Sequence, residues 1–257
     1  MNAPNAPNVD PGIWTENFKI HSYEVGLSRR ATLETVCRYF QEAAWNHAEA
    51  LGFGYSQLQR QNKIWVLSRL LVKVEHYPRW AETVTIRTWP RAAKSIFAMR
   101  DFELFDSGGT RLGAAASAWL VLDAATRRAQ RAADLLSSVK TSRIRPALDR
   151  EPQKLARCLE TSPAATIAVR YSDLDLNGHV NNTRYIGWIL DSYPVDFLQV
   201  YTVRRFEINF LDEAIAGETV SIVSRETAPG EHCHSILKSG GAEDLCRARV
   251  KWVANQG

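Results

Sequence analysis

Asp173, Asp175, Asn177 and His179 fall at alternate positions of the run Tyr171-Ser172-Asp173-Leu174-Asp175-Leu176-Asn177-Gly178-His179-Val180-Asn181-Asn182. An imidazole titrates near neutral pH and can take or give a proton. A carboxylate beside it can orient or deprotonate water, and a carboxamide can position a nucleophile or a carbonyl. Asp175 and Asn177 lie just ahead of His179, so a tight turn brings the three side chains together. The following Thr183–Leu190 stretch reads as a helix with an apolar face. The cluster therefore sits at a helix entrance, where free N–H groups favour negative charge.

Other chemistries fit the same letters less well. Asp173-x-Asp175-x-Asn177-Gly178 imitates the start of a calcium loop, but the twelfth position is Arg184, where a bidentate Glu is needed. His232-Cys233-His234 puts two imidazoles on one strand face without a third ligand nearby, so no metal is expected. No G-x-S-x-G occurs, which argues against a serine hydrolase. Cys37, Cys158, Cys233 and Cys246 are scattered without a CxxC pair, and reduced thiols in the cytoplasm are the expectation.

The elements that must position the cluster come in two similar series. Phe18 to Val25 reads as a first strand. Leu33, Val36, Cys37, Phe40, Ala44, His47 and Leu51 then share one helical face, closed by Gly52. Strand signals follow at Ile64 to Glu75, Thr83 to Trp89, Ser95 to Phe105 and Arg111 to Leu122. Arg127 to Pro163 is rich in Arg and Pro and reads as a linker with some short helix. After it come a strand at Thr166 to Arg170, a helix from about Asn182 to Tyr193, and strands at Thr202 to Leu211, Glu218 to Arg225, His232 to Lys238 and Leu245 to Val253. Arg38-Tyr39-Phe40 matches Arg184-Tyr185-Ile186, 146 positions later. This implies a duplicated unit, a helix wrapped by an antiparallel sheet, in the α+β class. At that spacing Asp175, Asn177 and His179 face Arg29, Ala31 and Leu33. The first copy does without the polar set, so the second carries more than the fold requires.

The chain has 257 residues, 45% of them hydrophobic and 23% charged, enough to bury a substantial core. The net charge of +4 includes no long basic run, which argues against nucleic-acid binding and leaves room for an acidic protein partner. The Asn-, Pro- and Ala-rich start lacks the pattern of a signal peptide and reads as disordered. No apolar run reaches membrane-spanning length.

The run Asp175-Leu176-Asn177-Gly178-His179-Val180-Asn181-Asn182, continued by Arg184-Tyr185-Ile186-Gly187-Trp188-Ile189-Leu190-Asp191-Ser192, closely resembles the signature of the acyl-acyl-carrier-protein thioesterases of plant plastids and bacteria. Ile64-Trp65-Val66-Leu67-Ser68-Arg69, His76-Tyr77-Pro78-Arg79-Trp80 and Ser117-Ala118-Trp119 resemble the same family's first repeat. The resemblance covers about Phe18 to Val253. It implies a tandem (double) hotdog fold: a disordered 1–14, an N-terminal repeat over 15–130 holding the acyl chain, a linker over 131–163 and a catalytic repeat over 164–257. It implies hydrolysis of fatty acyl-acyl-carrier protein without a cofactor. By motif the family's catalytic Asp, Asn and His fall on Asp175, Asn177 and His179, and for such a hydrolysis the N–H groups near Val180 to Asn182 are expected to stabilise the developing oxyanion. A further Glu falls on Glu213, with Asp212 the alternative; Ala214 stands where plant members often carry Cys. Val36, Phe40, Trp65 and Leu67 are the candidate walls of the acyl pocket, though each also suits plain core. Arg127, Arg128, Arg143 and Arg145 are candidate contacts for the carrier protein. A tandem hotdog can stand alone as a pseudo-dimer or pair into a homodimer. An acyl-CoA thioesterase and a non-catalytic acyl-binding hotdog are the alternatives.

Overall fold

A computed structural model describes residues 12–136, 145–159, 163–238 and 243–255. They fall into two compact units. The first combines Met1–Ala31, Thr35–Leu67 and His76–Glu151; the second combines Thr32–Glu34, Ser68–Glu75 and Pro152–Gly257.

In the first unit an 18-residue helix, α1 (Leu33–Ala50), is followed by α2 (Tyr55–Arg60) and β2 (Lys63–Val74), which passes from this unit into the second. The antiparallel order β1 (Trp14–Lys19), β3 (Thr83–Pro90), β4 (Ala98–Phe105), β5 (Arg111–Asp123) forms its sheet, with β6 (Ala129–Gln130) paired to β5. The apolar face of α1 meets that sheet, with Phe40 against Phe102 and Tyr39 stacked on Phe18. Gly52 ends the helix at φ +79°, a conformation that glycine adopts without Cβ strain.

In the second unit β7 (Ala165–Ala168) precedes α4 (Asn182–Asp191) and α5 (Val195–Val200). The sheet runs β8 (Tyr201–Phe210), β11 (Asp244–Ala254), β10 (Glu231–Lys238), β9 (Thr219–Ala228), β7, all antiparallel. Arg69–Lys73 of β2 pairs along β8. Tyr185 of α4 packs edge-on against Phe210 of β8. Each unit is thus a helix wrapped by an antiparallel sheet, the α+β tandem hotdog that the repeat implied. The second helix is much shorter than the first because Pro194 follows it, and proline cannot continue the ladder.

Three expectations shift. The first strand is Trp14–Lys19 rather than Phe18 to Val25. Its inward positions include Glu16, which accepts hydrogen bonds from Trp14 Nε1 and Asn46 Nδ2, so a polar residue broke the alternation. Trp14 thereby belongs to a strand rather than to the 1–14 segment expected to be disordered, most of which lies outside the described residues. β4 begins at Ala98, after a turn in which Ser95 has φ +58°.

The described parts of 131–163 are packed, and the units divide between Glu151 and Pro152. α3 (Ala132–Leu136) puts Ala132 and Leu136 into a first-unit cluster with Phe53, Leu58, Ala98 and Val121. Ala147 N–H donates to buried Asp101, and Glu151 pairs with Arg91 and Lys94. Residues 152–158 form an extended strap in the second unit. Gln153 N–H donates to Glu207 Oε1 and Leu155 N–H to Asn209 Oδ1. Buried β8 side chains therefore accept from backbone that pairs with no strand, which leaves little strand patterning in this stretch.

Candidate active site

The helix entrance is built from the backbone outward. A 3-10 turn, Tyr171–Asp173, is capped by Asp173 Oδ2 accepting from Arg170 N–H at 2.8 Å. Asp175 N–H donates to His179 O at 2.8 Å, and Gly178 turns the chain between them at φ +79°. Asn181 caps α4 through Oδ1, which accepts from Thr183 N–H at 2.9 Å.

Side chains then fill this frame. Asp175 Oδ1 accepts from Asn177 N–H at 2.8 Å and His179 N–H at 3.3 Å, while Asn177 Nδ2 stands 3.5 Å from Asp175 Oδ2. Val180 N–H donates to Ala214 O at 2.9 Å, and Ala214 N–H donates to the Tyr185 hydroxyl at 3.1 Å. These two bonds fix the loop after β8 against the helix entrance. As a result His179 Nε2 lies 3.6 Å from Glu213 Oε2, with side chains 34% and 32% exposed, so water reaches both. Asp212, the alternative carboxylate, points instead to Lys238 Nζ at 3.2 Å. The His179 and Glu213 side chains are therefore brought together, and Asp175 joins Asn177 and His179 through their backbone N–H groups.

Asp173 is engaged elsewhere. Buried, it pairs with Arg184 Nε at 2.9 Å, and Arg184 Nη1 reaches Glu34 at 2.9 Å. Burial works against the guanidinium charge, but the two carboxylates hold the Arg184 pKa above its ordinary value. The first and twelfth positions of the calcium-like run are thus bonded to each other.

The oxyanion donors need correction. Val180 and Asn181 N–H groups already donate, to Ala214 O and Asp173 O, which leaves the N–H of Asn182 at the head of α4. Tyr185 is a site residue that sequence reasoning missed. Its place in the repeat match and in the family signature gave it no chemical role, and its position on the apolar face of α4 reads as core.

Of the candidate pocket walls, Val36, Phe40 and Leu67 are buried. Trp65 is half-buried, donates Nε1–H to Phe53 O at 2.9 Å and meets the Phe53 ring edge-on. A pocket of about 290 Å³ lies beside it in the first unit, where Leu51, Phe53, Val121 and Leu135 are outnumbered by the polar Gln61, Lys63, Gln130, Arg131 and Asp134. None of the four predicted residues lines that pocket. Among the described residues, no group of three or more His, Cys, Asp or Glu side chains could hold a metal, and no helix is long and apolar enough to cross a membrane.

The model of the acyl-ACP thioesterase N-terminal domain matches residues 11–138, and that of the acyl-ACP thioesterase C-terminal domain matches residues 157–254. A chloroplastic palmitoyl-acyl carrier protein thioesterase of Arabidopsis thaliana is 29% identical over 93% of this chain, which spans 64% of that relative's length. A chloroplastic oleoyl-acyl carrier protein thioesterase 1 of the same plant is 31% identical over 93% of this chain and 75% of its own length. The crystal structure of an acyl-ACP thioesterase from Bacteroides thetaiotaomicron superposes with a TM-score of 0.86 at 29% identity, covering 94% of this chain and 98% of that one. The 12:0-ACP thioesterase from Umbellularia californica does so with a TM-score of 0.84 at 26% identity, covering 95% and 98%. With both family domains matched in order across nearly its whole length, the chain belongs to the acyl-ACP thioesterase family.

Proposed function

We propose that this chain hydrolyses the thioester joining a fatty acyl group to acyl carrier protein, releasing free fatty acid and holo-carrier protein in fatty acid biosynthesis. The observation that carries this reading is the 3.6 Å approach of His179 Nε2 to Glu213 Oε2 at the head of α4. One water can contact both atoms. Glu213 takes its proton as the water oxygen attacks the thioester carbonyl carbon, and the Asn182 N–H faces the developing oxyanion. When the C–S bond breaks, the proton that Glu213 took passes through His179 to the leaving thiolate, which becomes a thiol. Asp175 anchors Asn177 and His179 through their N–H groups, and Asn177 positions the water or the carbonyl. Ala214, where a cysteine would stand in many plant members, has no nucleophile, so the attack falls to water or to a carboxylate.

The acyl chain is proposed to bind in the first unit between α1 and its sheet, against Val36, Phe40, Trp65 and Leu67; the polar lining of the pocket beside Trp65 does not favour an acyl chain there. Exposed Arg127, Arg128 and Arg145 are proposed contacts for the acidic carrier protein. Arg143 lies outside the described residues. A cytoplasmic location and pairing into a homodimer belong to the same proposal; cell fractionation and sedimentation check them.

The test is kcat/KM on acyl-carrier-protein and acyl-CoA substrates of matched chain length. A clear preference for the carrier-protein substrate, weakened by added salt, supports the reading. Equal or better use of acyl-CoA would assign it to acyl-CoA hydrolysis, and no thiol release from either would leave an acyl-binding protein.

A further inference from the structure

Outside the proposed active site, the strap over residues 152–158 brings Cys158 against Cys233 of β10, 75 positions later. Their Sγ atoms stand 2.6 Å apart and no disulfide joins them. Two further contacts hold this approach in register. Cys158 N–H donates to the Oγ of fully buried Ser235 at 3.1 Å, and Cys158 Sγ lies 3.3 Å from Cys233 O. The strap is fastened upstream by Gln153 to Glu207 and Leu155 to Asn209, and Arg247 Nη1 donates to Leu155 O. A covalent S–S bond between the two sulfurs needs only a small adjustment of the side chains.

The two cysteines differ in access. Cys158 is 1% exposed, whereas Cys233 is half-buried. Cys233 is paired in register with Arg225 on β9 and Arg249 on β11. Directly opposed residues share a face of an antiparallel sheet, so two exposed cations flank the accessible thiol. That setting attracts an anionic reagent.

We propose that Cys158 and Cys233 are an oxidation site, a dithiol closed to a disulfide by a small anionic disulfide of the glutathione class. The Cys233 thiolate attacks one sulfur of the oxidant, releases one glutathione thiolate and forms a mixed disulfide. The Cys158 thiolate then attacks Cys233 Sγ and releases the second glutathione. The protein gives up two electrons and two protons, and the oxidant's S–S bond takes them as two thiols. Closure covalently ties the strap to β10 and constrains the unfolded chain.

The experiment incubates the full chain with oxidised glutathione or with dithiothreitol, blocks free thiols under denaturing conditions and maps peptides by mass. The expected result is one cross-linked peptide pair containing Cys158 and Cys233 in the oxidised sample, with Cys37 and Cys246 alkylated in both. The oxidised protein should melt about 5–10 °C above the reduced one. C158S and C233S should each show one melting temperature in both conditions, with hydrolysis unchanged. Four alkylated cysteines after oxidation, a glutathione adduct that persists on Cys233, or pairing through Cys37 or Cys246 would overturn the proposal; mapping of the wild-type chain decides this even if a variant folds poorly.

Discussion

The two helix entrances share a backbone and differ in chemistry. In the first unit Gly26 O accepts from Arg29 N–H and Gly26 N–H donates to Arg30 O; in the second Asp175 O accepts from Gly178 N–H and Asp175 N–H donates to His179 O. Ala31 N–H reaches Pro78 O just as Val180 N–H reaches Ala214 O. Glu24 caps its 3-10 turn through His21 N–H as Asp173 does through Arg170 N–H. The structural spacing at these loops is therefore 149 positions, so Asp175, Asn177 and His179 stand opposite Gly26, Ser28 and Arg30. The expected facing residues, Arg29, Ala31 and Leu33, came from the short text match of Arg38-Tyr39-Phe40 with Arg184-Tyr185-Ile186, which is three positions out of step with the structure, since α1 and α4 also begin 149 positions apart, at Leu33 and Asn182. Corrected, the control is stronger. The first loop closes without a carboxylate, carboxamide or imidazole at the matched positions, so the second loop does not need them for its shape.

The sharpest break of this comparison is His179→Ala. It should lower kcat/KM at least about 100-fold, the ordinary worth of a general acid, with an unchanged circular dichroism spectrum. Asn177→Ala should also cost activity, whereas Ser28→Ala at the matched position should leave it intact. Asp175→Gly gives the second loop the first loop's residue. Unfolding midpoints should move by less than about 1 kcal/mol, because Gly26 already supports the same turn, while hydrolysis falls about 10- to 100-fold as Asn177 and His179 lose their anchor.

Smaller effects distinguish the turns that carry the loops. Asp173 is held by the cation of Arg184, but Glu24 accepts from the neutral Tyr39 hydroxyl at 2.7 Å. In urea titrations, Arg184→Met should cost about 2–3 kcal/mol by leaving Asp173 buried and unpaired, and Tyr39→Phe about 1 kcal/mol. Equal costs would erase the distinction.

The last contrast appears only in acid and is absent at neutral pH. His47 in the first unit and His234 in the second are fully buried and each is pushed down to about 3. Burial is the main cause for both, aided by Arg100 beside His47 and by His232 beside His234. Below about 6.5 the unfolded chain takes up protons that the folded chain refuses, so stability present above that pH is lost as pH falls towards 3. His47→Gln and His234→Gln should each flatten that decline in melting temperature, and an unchanged slope in either variant would count against a neutral buried imidazole there.

The sequence made the long elements legible because their patterning is strong. α1 was expected over Leu33 to Leu51 and spans Leu33–Ala50; β3, β5, β8 and β11 each fall within a residue of expectation. β1 was misplaced because an inward Glu16 breaks its alternation, and α2, α3 and α5 are too short to show a helical period. At the site, Asp175, Asn177 and His179 were legible as a dense local run. Glu213 was less so, because its approach to His179 depends on a backbone bond from Val180 to Ala214 and on the Tyr185 hydroxyl. Neither leaves a pattern in one sequence. The acyl pocket was least legible, since Val36, Phe40 and Leu67 carry the same signal as any buried apolar residue.

The central claim is that Glu213, delivered from a distant loop, works with His179. The most direct measurement is thiol release from acyl-acyl-carrier protein by Glu213→Gln, which keeps side-chain size and removes the basic carboxylate. The account predicts that kcat falls at least about 100-fold while the melting temperature is unchanged. A Glu213→Gln enzyme within a few-fold of wild type would contradict it.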